Sequence, residues 1–458
     1  MGVTWSLPQA ARERALSRYY SRATEVQTGQ AVDPIEIQPV QAPFDAVVEL
    51  PGSKSYTNRA LLIAALANGR SEITEALASD DTHYMREALT ALGVQIEERD
   101  AHTFIVDGVN GRFPAASAVL QIGNAGTAAR FLTAAVATGR GEYVIDGSPA
   151  MRKRPIQPLI DGLRQLGVLV HAINGDGCPP VRVTALGLDG GRARIKGDIS
   201  SQYFSALLMA APYAAVDVEI EVDGDLVSAP YVTMTLSTMA AFGVRAERDG
   251  NKVFRVPAGQ HYEARHYSVE PDASAASYFF AAAAVTGSRV VVPRLGRDSA
   301  QGDLGLLEVL QRMGCDVQIE QDSVTVQGPS QLHGVEADFT QMGDVATTLM
   351  AIAPFADSPV TVSGIAQTHY EESDRPVAAA TELQRMGLQV ESTHDSVTIH
   401  PGMPQACEVQ TYDDHRMAMS FAITGLRAPG IRIANPECVA KTFPEYFDVL
   451  QATTEQHT

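Results

Sequence analysis

The feature that most constrains the fold of this sequence is an internal repeat, in which a short polar stretch leads directly into a helix of small apolar residues. The first copy is "LPGSKSYTNRALLIAALANG", residues 50–69. The five later copies begin at Gly123, Ser200, Asp272, Gly343 and Asp413. The interval is about 70 residues, a length that one repeated supersecondary unit can fill.

A second element recurs between these copies, as "LTALGVQIE", "LRQLGVLVH", "MAAFGVRAE", "LQRMGCDVQIE" and "LQRMGLQVE". Each predicts the end of an amphipathic helix, a glycine that terminates it, and an alternating strand. Short strands such as "SVTVQG" and "SVTIHPG" follow. Six such units in 458 residues exceed one ordinary core. We therefore predict an α/β fold of two similar lobes, each with three units.

The polar residues that start each apolar helix, here called its head, form a candidate anion site. Unpaired backbone N–H groups and the positive end of the helix dipole favour an anion there, and the first head adds Lys54, Ser55 and Arg59. The structural alternative is a solvated helix start with ordinary caps. If the helices of each lobe run parallel and the lobes face each other, six heads line one cleft that suits a small, heavily anionic ligand. The heads contain Lys54, Arg59, Asn124, Ser200, Ser201, Gln202, Asp344, Asp414, His415 and Arg416.

Overall charge and cysteine usage exclude several classes of function. The net charge of −19 argues against nucleic acid or an anionic membrane as the main partner. No apolar stretch has membrane-spanning length. The four cysteines are scattered without a CxxC pair, which is typical of reduced thiols and predicts no metal site.

Four places in the sequence carry charged groups that could bind a ligand or could have only a structural role. Arg154 in "MRKRPI" is well placed for a carboxylate or phosphate, although exposed charge runs are usually solvated. "ESDR" resembles a helix start with a capping pair, and Lys441 could be a surface lysine. His415 beside Arg416 could move protons near neutral pH or could be a hydrogen-bonded structural histidine.

Residues 1–32 form a separate N-terminal extension in this interpretation. The segment "SLPQAARERALSRYYSRAT" carries a candidate N-cap, a proline in the first turn and several arginines, which predicts a short exposed helix. A transit peptide is the alternative, because the segment is rich in arginine and poor in acidic residues.

Nine motifs in this order resemble the successive signatures of the 5-enolpyruvylshikimate-3-phosphate synthase family over about residues 39–450: "LPGSKSYTNRALL", "GNAGTAARFLTA", "MRKRPI", "SSQYFSALLMAAP", "SAPYVTMTL", "DASAASYFF", "ESDR", "YDDHRMAM" and "KTFPEYFDVL". The resemblance implies the enolpyruvyl transferase fold, two lobes of three βαβαββ units each. Residues 53–269 would form one lobe. Residues 33–52 and 270–458 would form the other, with the active site in the cleft between them.

The resemblance also implies an activity. The enolpyruvyl group of phosphoenolpyruvate would pass to the 5-hydroxyl of shikimate 3-phosphate with release of phosphate, in the shikimate pathway to chorismate and the aromatic amino acids. It implies a cytoplasmic monomer without metal or cofactor, and a target of glyphosate. The alternatives are an enolpyruvyl transferase acting on a UDP-sugar, an enzyme acting on another shikimate-like cyclitol, and a non-catalytic anion-binding relative. The first is disfavoured because "YDDHRMAM" and "KTFPEYFDVL" match the shikimate branch.

The family's functional residues carry over to matching positions of this sequence. Asp344 would be the base near the attacking hydroxyl, and Glu372 the acid that protonates the methylene carbon. His415 would help proton transfer or stabilise the developing phosphate. The shikimate 3-phosphate group would comprise Lys54, Ser55, Arg59, Ser200, Ser201, Gln202, Ser228, Tyr231, Asp344, Gln367 and Glu371. The phosphoenolpyruvate group would comprise Lys54, Asn124, Gly126, Arg154, Arg375, Arg416 and Lys441, of which both lysines would also be catalytic.

Three positions depart from the family pattern. Phe131 stands where many members have proline, and it could tilt its helix and weaken inhibition by glyphosate. Gln367 replaces a common asparagine, and Glu371 replaces a common lysine. We expect weaker binding of shikimate 3-phosphate, unless a neighbour such as His369 replaces the lost cation.

Overall fold

The computed structural model describes residues 33–455, and the chain divides there into two compact units. One unit is the continuous segment 52–270, here called the inserted unit. The other, the host unit, combines residues 33–51 with 271–455. The helix predicted in residues 1–32 lies outside the described residues. None of the helices in the described range is long and apolar enough to cross a bilayer.

The chain opens with two short strands of the host unit, β1 (Ile35–Glu36) and β2 (Asp45–Val47). The inserted unit follows with α1 (Lys54–Leu66), β3 (Asn68–Thr74), α2 (Asp80–Ala91), β4 (Gln95–Asp100), β5 (Thr103–Val109), β6 (Ser117–Gln121), α3 (Gly126–Ala135), β7 (Gly141–Asp146), α4 (Gln157–Gln165), β8 (Leu169–Ala172), β9 (Val181–Ala185), β10 (Gly191–Lys196), α5 (Gln202–Ala210), β11 (Val218–Asp223), α6 (Ala229–Ala241), β12 (Glu247–Asp249), β13 (Val253–Val256) and β14 (His266–Ser268).

Three four-stranded sheets form the inserted unit, in the orders β14-β3-β5-β4, β6-β7-β9-β8 and β10-β11-β13-β12. In each sheet the first pair is parallel and the others are antiparallel. Two of the three repeats run βαβαββ along the chain. The first repeat takes its opening strand from β14, which pairs with β3 from the far end of the unit.

The host unit continues with α7 (Ala273–Thr286), β15 (Arg289–Pro293), α8 (Leu306–Arg312), β16 (Asp316–Ile319), β17 (Ser323–Gln327), β18 (Glu336–Asp338), α9 (Ala346–Ile352), β19 (Val360–Ser363), α10 (Arg375–Arg385), β20 (Val390–Ser392), β21 (Ser396–Ile399), β22 (Cys407–Val409), α11 (His415–Gly425), β23 (Ile431–Ile433) and α12 (Tyr446–Thr454). Its sheets are β16-β17-β15-β2, β18-β19-β21-β20 and β1-β23-β22.

The N-terminal strands complete two of these sheets. β2 pairs in parallel with β15, and β1 pairs antiparallel with β23. The last repeat therefore differs from the predicted βαβαββ pattern, because its sheet has three strands and one of them comes from the start of the chain.

The repeated apolar helices are the inner helices α1, α3, α5, α7, α9 and α11. In α1 every residue from Tyr56 to Leu66 is buried, and in α7 every residue from Ala273 to Val285 is buried. A helix with apolar residues on all sides has no face to offer to water, which explains the small side chains that allow close packing. The predicted inner helices are confirmed.

The outer helices α2, α4, α6, α8 and α10 end as the glycine pattern predicts. The residue after each C-cap adopts a left-handed conformation with φ between 81° and 104°, which glycine tolerates without a Cβ clash. These residues are Gly93, Gly167, Gly243, Gly314 and Gly387.

Candidate active-site residues in each unit

The head of α1 places a lysine in the inserted unit beside a buried carboxylate. Lys54 Nζ lies 3.5 Å from Asp81 Oδ2, and Asp81 is buried in the first turn of α2. The lysine side chain keeps 13% of its surface exposed. Asp81 therefore fixes the direction of Lys54 while a ligand can still reach its ammonium group.

Arg59, one turn further along α1, is buried among neutral groups. Its guanidinium donates to Thr235 Oγ1 and the Ser55 carbonyl, both at 2.8 Å, and to the Tyr231 carbonyl at 3.0 Å. A longer contact of 3.3 Å reaches Ser205 Oγ. Burial lowers the pKa of Arg59 to about 10. A cation held this way, with neutral acceptors around it, is suited to an incoming anion.

The head of α3 collects two more cations around a glycine. A Cβ on Gly126 would lie 2.7 Å from Arg130 Nη1 and 3.0 Å from Arg154 Nη1, so both guanidinium groups lie against this residue. Arg130 also donates to the Gly126 and Pro155 carbonyls. Asn124 is half-buried two residues before the helix. The two arginines and the helix start together favour a phosphate or carboxylate.

Two other helix starts of the inserted unit carry neutral polar groups. Ser201 is the N-cap residue of α5, and Ser200 Oγ accepts a hydrogen bond from Gln202 N at 3.3 Å. Ser228 precedes α6 in a left-handed conformation, and the Tyr231 carbonyl in the first turn accepts from Arg59. The site residues predicted in this unit lie in the first turn of a helix or immediately before it, with two exceptions. Arg59 lies one turn further along α1, and Arg154 caps a short 3₁₀ turn.

In the host unit Arg375 is bound by three carboxylates. Its Nε donates to Asp414 Oδ2 at 2.9 Å, Nη1 to Asp344 Oδ1 at 3.0 Å and Nη2 to Glu372 Oε2 at 2.6 Å. Burial alone would lower the pKa of Arg375, but the three carboxylates outweigh it and raise the pKa above its ordinary value. Arg375 therefore holds the candidate base and the candidate acid in fixed positions.

Two further cations form ion pairs with the same carboxylates of the host unit. Lys441 Nζ lies 2.8 Å from Glu372 Oε1, and Arg416 Nη2 donates to Asp344 Oδ2 at 2.6 Å. His415 is fully buried with Nδ1 3.6 Å from Asp414 Oδ1. The predicted residues Asp344, Glu372, Arg375, His415, Arg416 and Lys441 thus lie in one connected cluster.

A metal ion has one candidate position among the described residues. Glu372, Asp414 and His415 bring potential ligand atoms within 4.8 Å of one another. Both carboxylates already pair with Arg375, and Glu372 also pairs with Lys441. Arg375 and Lys441 would repel a metal cation at this position, so the charge distribution suits an anionic ligand better.

Three polar residues next to the candidate base were not predicted from the sequence: Ser274, Tyr278 and Asp303. Asp303, in the 3₁₀ helix Gly302–Gly305, accepts a hydrogen bond from the Ser274 hydroxyl, which in turn accepts from Arg416 Nη2 at 3.4 Å. Arg416 Nη1 also donates to Tyr278 OH at 3.3 Å. Burial, with repulsion from Asp344 second, raises the pKa of Asp303 to about 7. A buried carboxyl group with a raised pKa beside the candidate base is typical of functional sites, and no sequence motif marks it.

The loop before α10 carries two of the departures from the family pattern. Gln367 is buried and donates to the Gly364 carbonyl at 3.0 Å, while Glu371 is partly exposed. His369 Nδ1 lies 2.6 Å from Asp374 Oδ1, and Nε2 lies 2.8 Å from the His394 carbonyl. Both ring nitrogens are therefore engaged, one by Asp374 of the loop and one by the turn between β20 and β21, and His369 has none left to replace the cation missing at position 371.

Comparisons with known proteins agree on one family. The family model for EPSP synthase (3-phosphoshikimate 1-carboxyvinyltransferase) matches residues 39–450. A 3-phosphoshikimate 1-carboxyvinyltransferase of Nostoc punctiforme is 49% identical over 417 residues, covering 91% of this chain and 98% of that protein. The chloroplastic enzyme of Brassica napus is 45% identical, covering 94% and 87%. The solved structure of EPSP synthase from Acinetobacter baumannii has a TM-score of 0.79 at 26% identity, covering 92% of this chain and 98% of that one.

Proposed function

This chain belongs to the EPSP synthase family, and from that membership we propose that it transfers the enolpyruvyl group of phosphoenolpyruvate to the 5-hydroxyl of shikimate 3-phosphate, with release of phosphate. The reaction belongs to the shikimate pathway of aromatic amino acid biosynthesis. The observation that carries the proposal is the cluster of three carboxylates around Arg375, because the chemistry needs an acid and a base fixed beside cations.

Anion recognition in the proposed site divides between two sets of residues. The buried cation Arg59, with its neutral partners, supports binding of the shikimate phosphate. Arg154 beside Gly126 supports binding of phosphoenolpyruvate. We assign shikimate 3-phosphate to Lys54, Ser55, Arg59, Ser200, Ser201, Gln202, Ser228, Tyr231, Asp344, Gln367 and Glu371, and phosphoenolpyruvate to Lys54, Asn124, Gly126, Arg154, Arg375, Arg416 and Lys441.

The proton that reaches the methylene carbon of phosphoenolpyruvate comes from Glu372 in this mechanism. Without substrate, Glu372 lies between Arg375 and Lys441. The carboxylate and phosphate of phosphoenolpyruvate compete for these two cations. A carboxylate with fewer cationic partners takes up a proton more readily, so substrate binding itself prepares Glu372 as the acid.

Asp344 serves as the base in the same step. It accepts the proton of the 5-hydroxyl as that oxygen adds to the cationic carbon, which gives a tetrahedral intermediate. Arg375 and Arg416 hold its two oxygens, which fixes the direction of the carboxylate. Phosphate then leaves as the methyl group returns its proton, while His415 assists proton transfer and Lys441 stabilises the developing charge.

The reaction requires residues of both units. We therefore propose that the substrates bind in a cleft between the lobe of residues 53–269 and the lobe of residues 33–52 and 270–458. A single chain supplies every residue assigned above, which supports a monomer. The four cysteines are free, which suits the reducing cytoplasm.

Steady-state release of phosphate from the two substrates tests the proposal. Wild-type protein should release phosphate only when both are present. Glu372→Gln should lower kcat by about a hundredfold or more, since it removes the general acid. Glu391→Gln is the matched control, because Glu391 is an exposed glutamate of the same unit with 67% of its side chain accessible. Turnover of a UDP-sugar or an unphosphorylated cyclitol in place of shikimate 3-phosphate would contradict the assignment.

A further inference from the structure

Phe131 lies in the middle of α3 and is completely buried. Its ring centroid is 5.2 Å from Cζ of Arg59, so the guanidinium group lies over the face of the ring. The negative face of an aromatic ring attracts a cation at this distance. The contact thus connects the helix that starts at Gly126 with the cation on α1.

The hydrogen bonds of Arg59 show why the ring of Phe131 matters for this cation. All four of its hydrogen-bond acceptors are neutral oxygens, and the one at Ser205 is long. Neutral acceptors offset only part of the hydration that a buried guanidinium group loses, and stacking on an aromatic face suits a planar, weakly hydrated cation. The ring face therefore adds an attraction for the guanidinium group that its neutral hydrogen-bond acceptors do not supply.

We propose that Phe131 is a positioning residue, which holds the guanidinium of Arg59 against its ring and thereby sets the affinity for shikimate 3-phosphate. The inference rests on the proposed role of Arg59 in binding that substrate. A smaller aliphatic side chain at position 131 would remove the ring face and leave space into which the guanidinium can move. Phosphoenolpyruvate, assigned to Gly126 and Arg154, should be affected much less.

Three variants at this position separate the ring from its volume. Phe131→Leu and Phe131→Met both remove the ring, and the unbranched, flexible methionine can fill the irregular space that the ring leaves. Both should raise KM for shikimate 3-phosphate about three- to tenfold, as expected for one cation–π contact, and change KM for phosphoenolpyruvate and kcat less than about twofold. Phe131→Tyr keeps the ring and should restore KM to within about twofold of wild type.

The chain contains a matched control. Phe104 is also buried in the inserted unit, with its ring centroid 4.5 Å from Cζ of Arg86. Phe104→Leu removes an arginine–phenylalanine contact of the same kind at a position to which we assign no substrate. It should leave both KM values unchanged, and urea unfolding of each variant shows whether a change follows from lost stability.

A double-mutant cycle identifies the route of the effect. In an Arg59→Lys background, Phe131→Leu should raise KM for shikimate 3-phosphate less than it does in wild type, because lysine lacks the planar group that stacks on the ring. Normal wild-type turnover with unchanged KM in both the leucine and methionine variants would overturn this inference alone. Parallel rises in both KM values would also overturn it. No wild-type turnover of shikimate 3-phosphate would overturn the proposed function and the inference with it.

Discussion

Asp303 should make the stability of this protein fall as the pH rises through neutrality. The carboxyl group is 5% exposed, receives a hydrogen bond from Ser274, and lies close enough to Asp344 for the two charges to repel. Other groups around it are Arg416, which favours its ionised form, and Asp272, which opposes it. Asp303→Asn replaces the titrating group with a neutral one of the same shape.

The size of the effect follows from the pKa of Asp303, which rises from 3.8 in an exposed chain to about 7 in the folded protein. Between these values the folded state keeps a proton that the unfolded state has lost, so the free energy of unfolding decreases with pH. A difference of about three in pKa corresponds to roughly 4 kcal/mol in total, and about 3 kcal/mol of it is lost between about pH 5 and pH 8.

Urea unfolding followed by circular dichroism at both pH values measures this loss. Wild type should lose about 3 kcal/mol of stability between about pH 5 and pH 8 that Asp303→Asn does not lose. The free energy of unfolding of the variant minus that of wild type should therefore increase by about 3 kcal/mol over this range. Asp316→Asn, at an exposed position of β16, is the control and should show no such change. An equal difference between Asp303→Asn and wild type at the two pH values would refute the reasoning.

Two further predictions concern substrate binding, and a third concerns the stability of the host unit. Gly126→Ala should raise KM for phosphoenolpyruvate about ten- to a hundredfold, because the new Cβ would lie 3.0 Å from Arg154 Nη1 and displace it; an unchanged KM would contradict this. Glu371→Lys should lower KM for shikimate 3-phosphate by a similar factor without abolishing turnover, as initial-rate kinetics would show. Tyr412→Phe should lower the free energy of unfolding by about 1 to 2 kcal/mol in urea, because it deprives the buried Glu382 of a 2.8 Å hydrogen bond; a loss near zero would argue against a structural role for that bond.

The repeat in the sequence was sufficient to predict the inner helices and their heads. A buried helix with small side chains is recognisable along its whole length as an unbroken apolar run, such as residues 60–67. A glycine such as Gly93 marks the end of an outer helix. The positions of Lys54 at the start of α1 and of His415 at the start of α11 follow directly.

The partners of these heads could not be predicted in the same way. Thr235 lies 176 positions from Arg59, whose guanidinium group it accepts a hydrogen bond from, and Ser274 lies 142 positions from Arg416. Contacts across such distances depend on how helices pack, and a neutral threonine or serine carries no pattern that identifies it. Asp303 was missed for the same reason, since its surroundings come from separate helices.

The division of the host unit by residues 52–270 also has a consequence for folding during synthesis. Phe44 N donates to Ser288 Oγ across 244 positions, so this contact closes a very long loop. Once the inserted unit has folded, the hydrogen bond from Ser53 N to the Glu270 carbonyl, at 2.8 Å, brings its two ends together. The loop then shortens about tenfold, which reduces its closure entropy by roughly 2 kcal/mol. The inserted unit is complete before β15 is made, so it folds first on the ribosome, and the strands of the host unit pair afterwards at lower entropic cost.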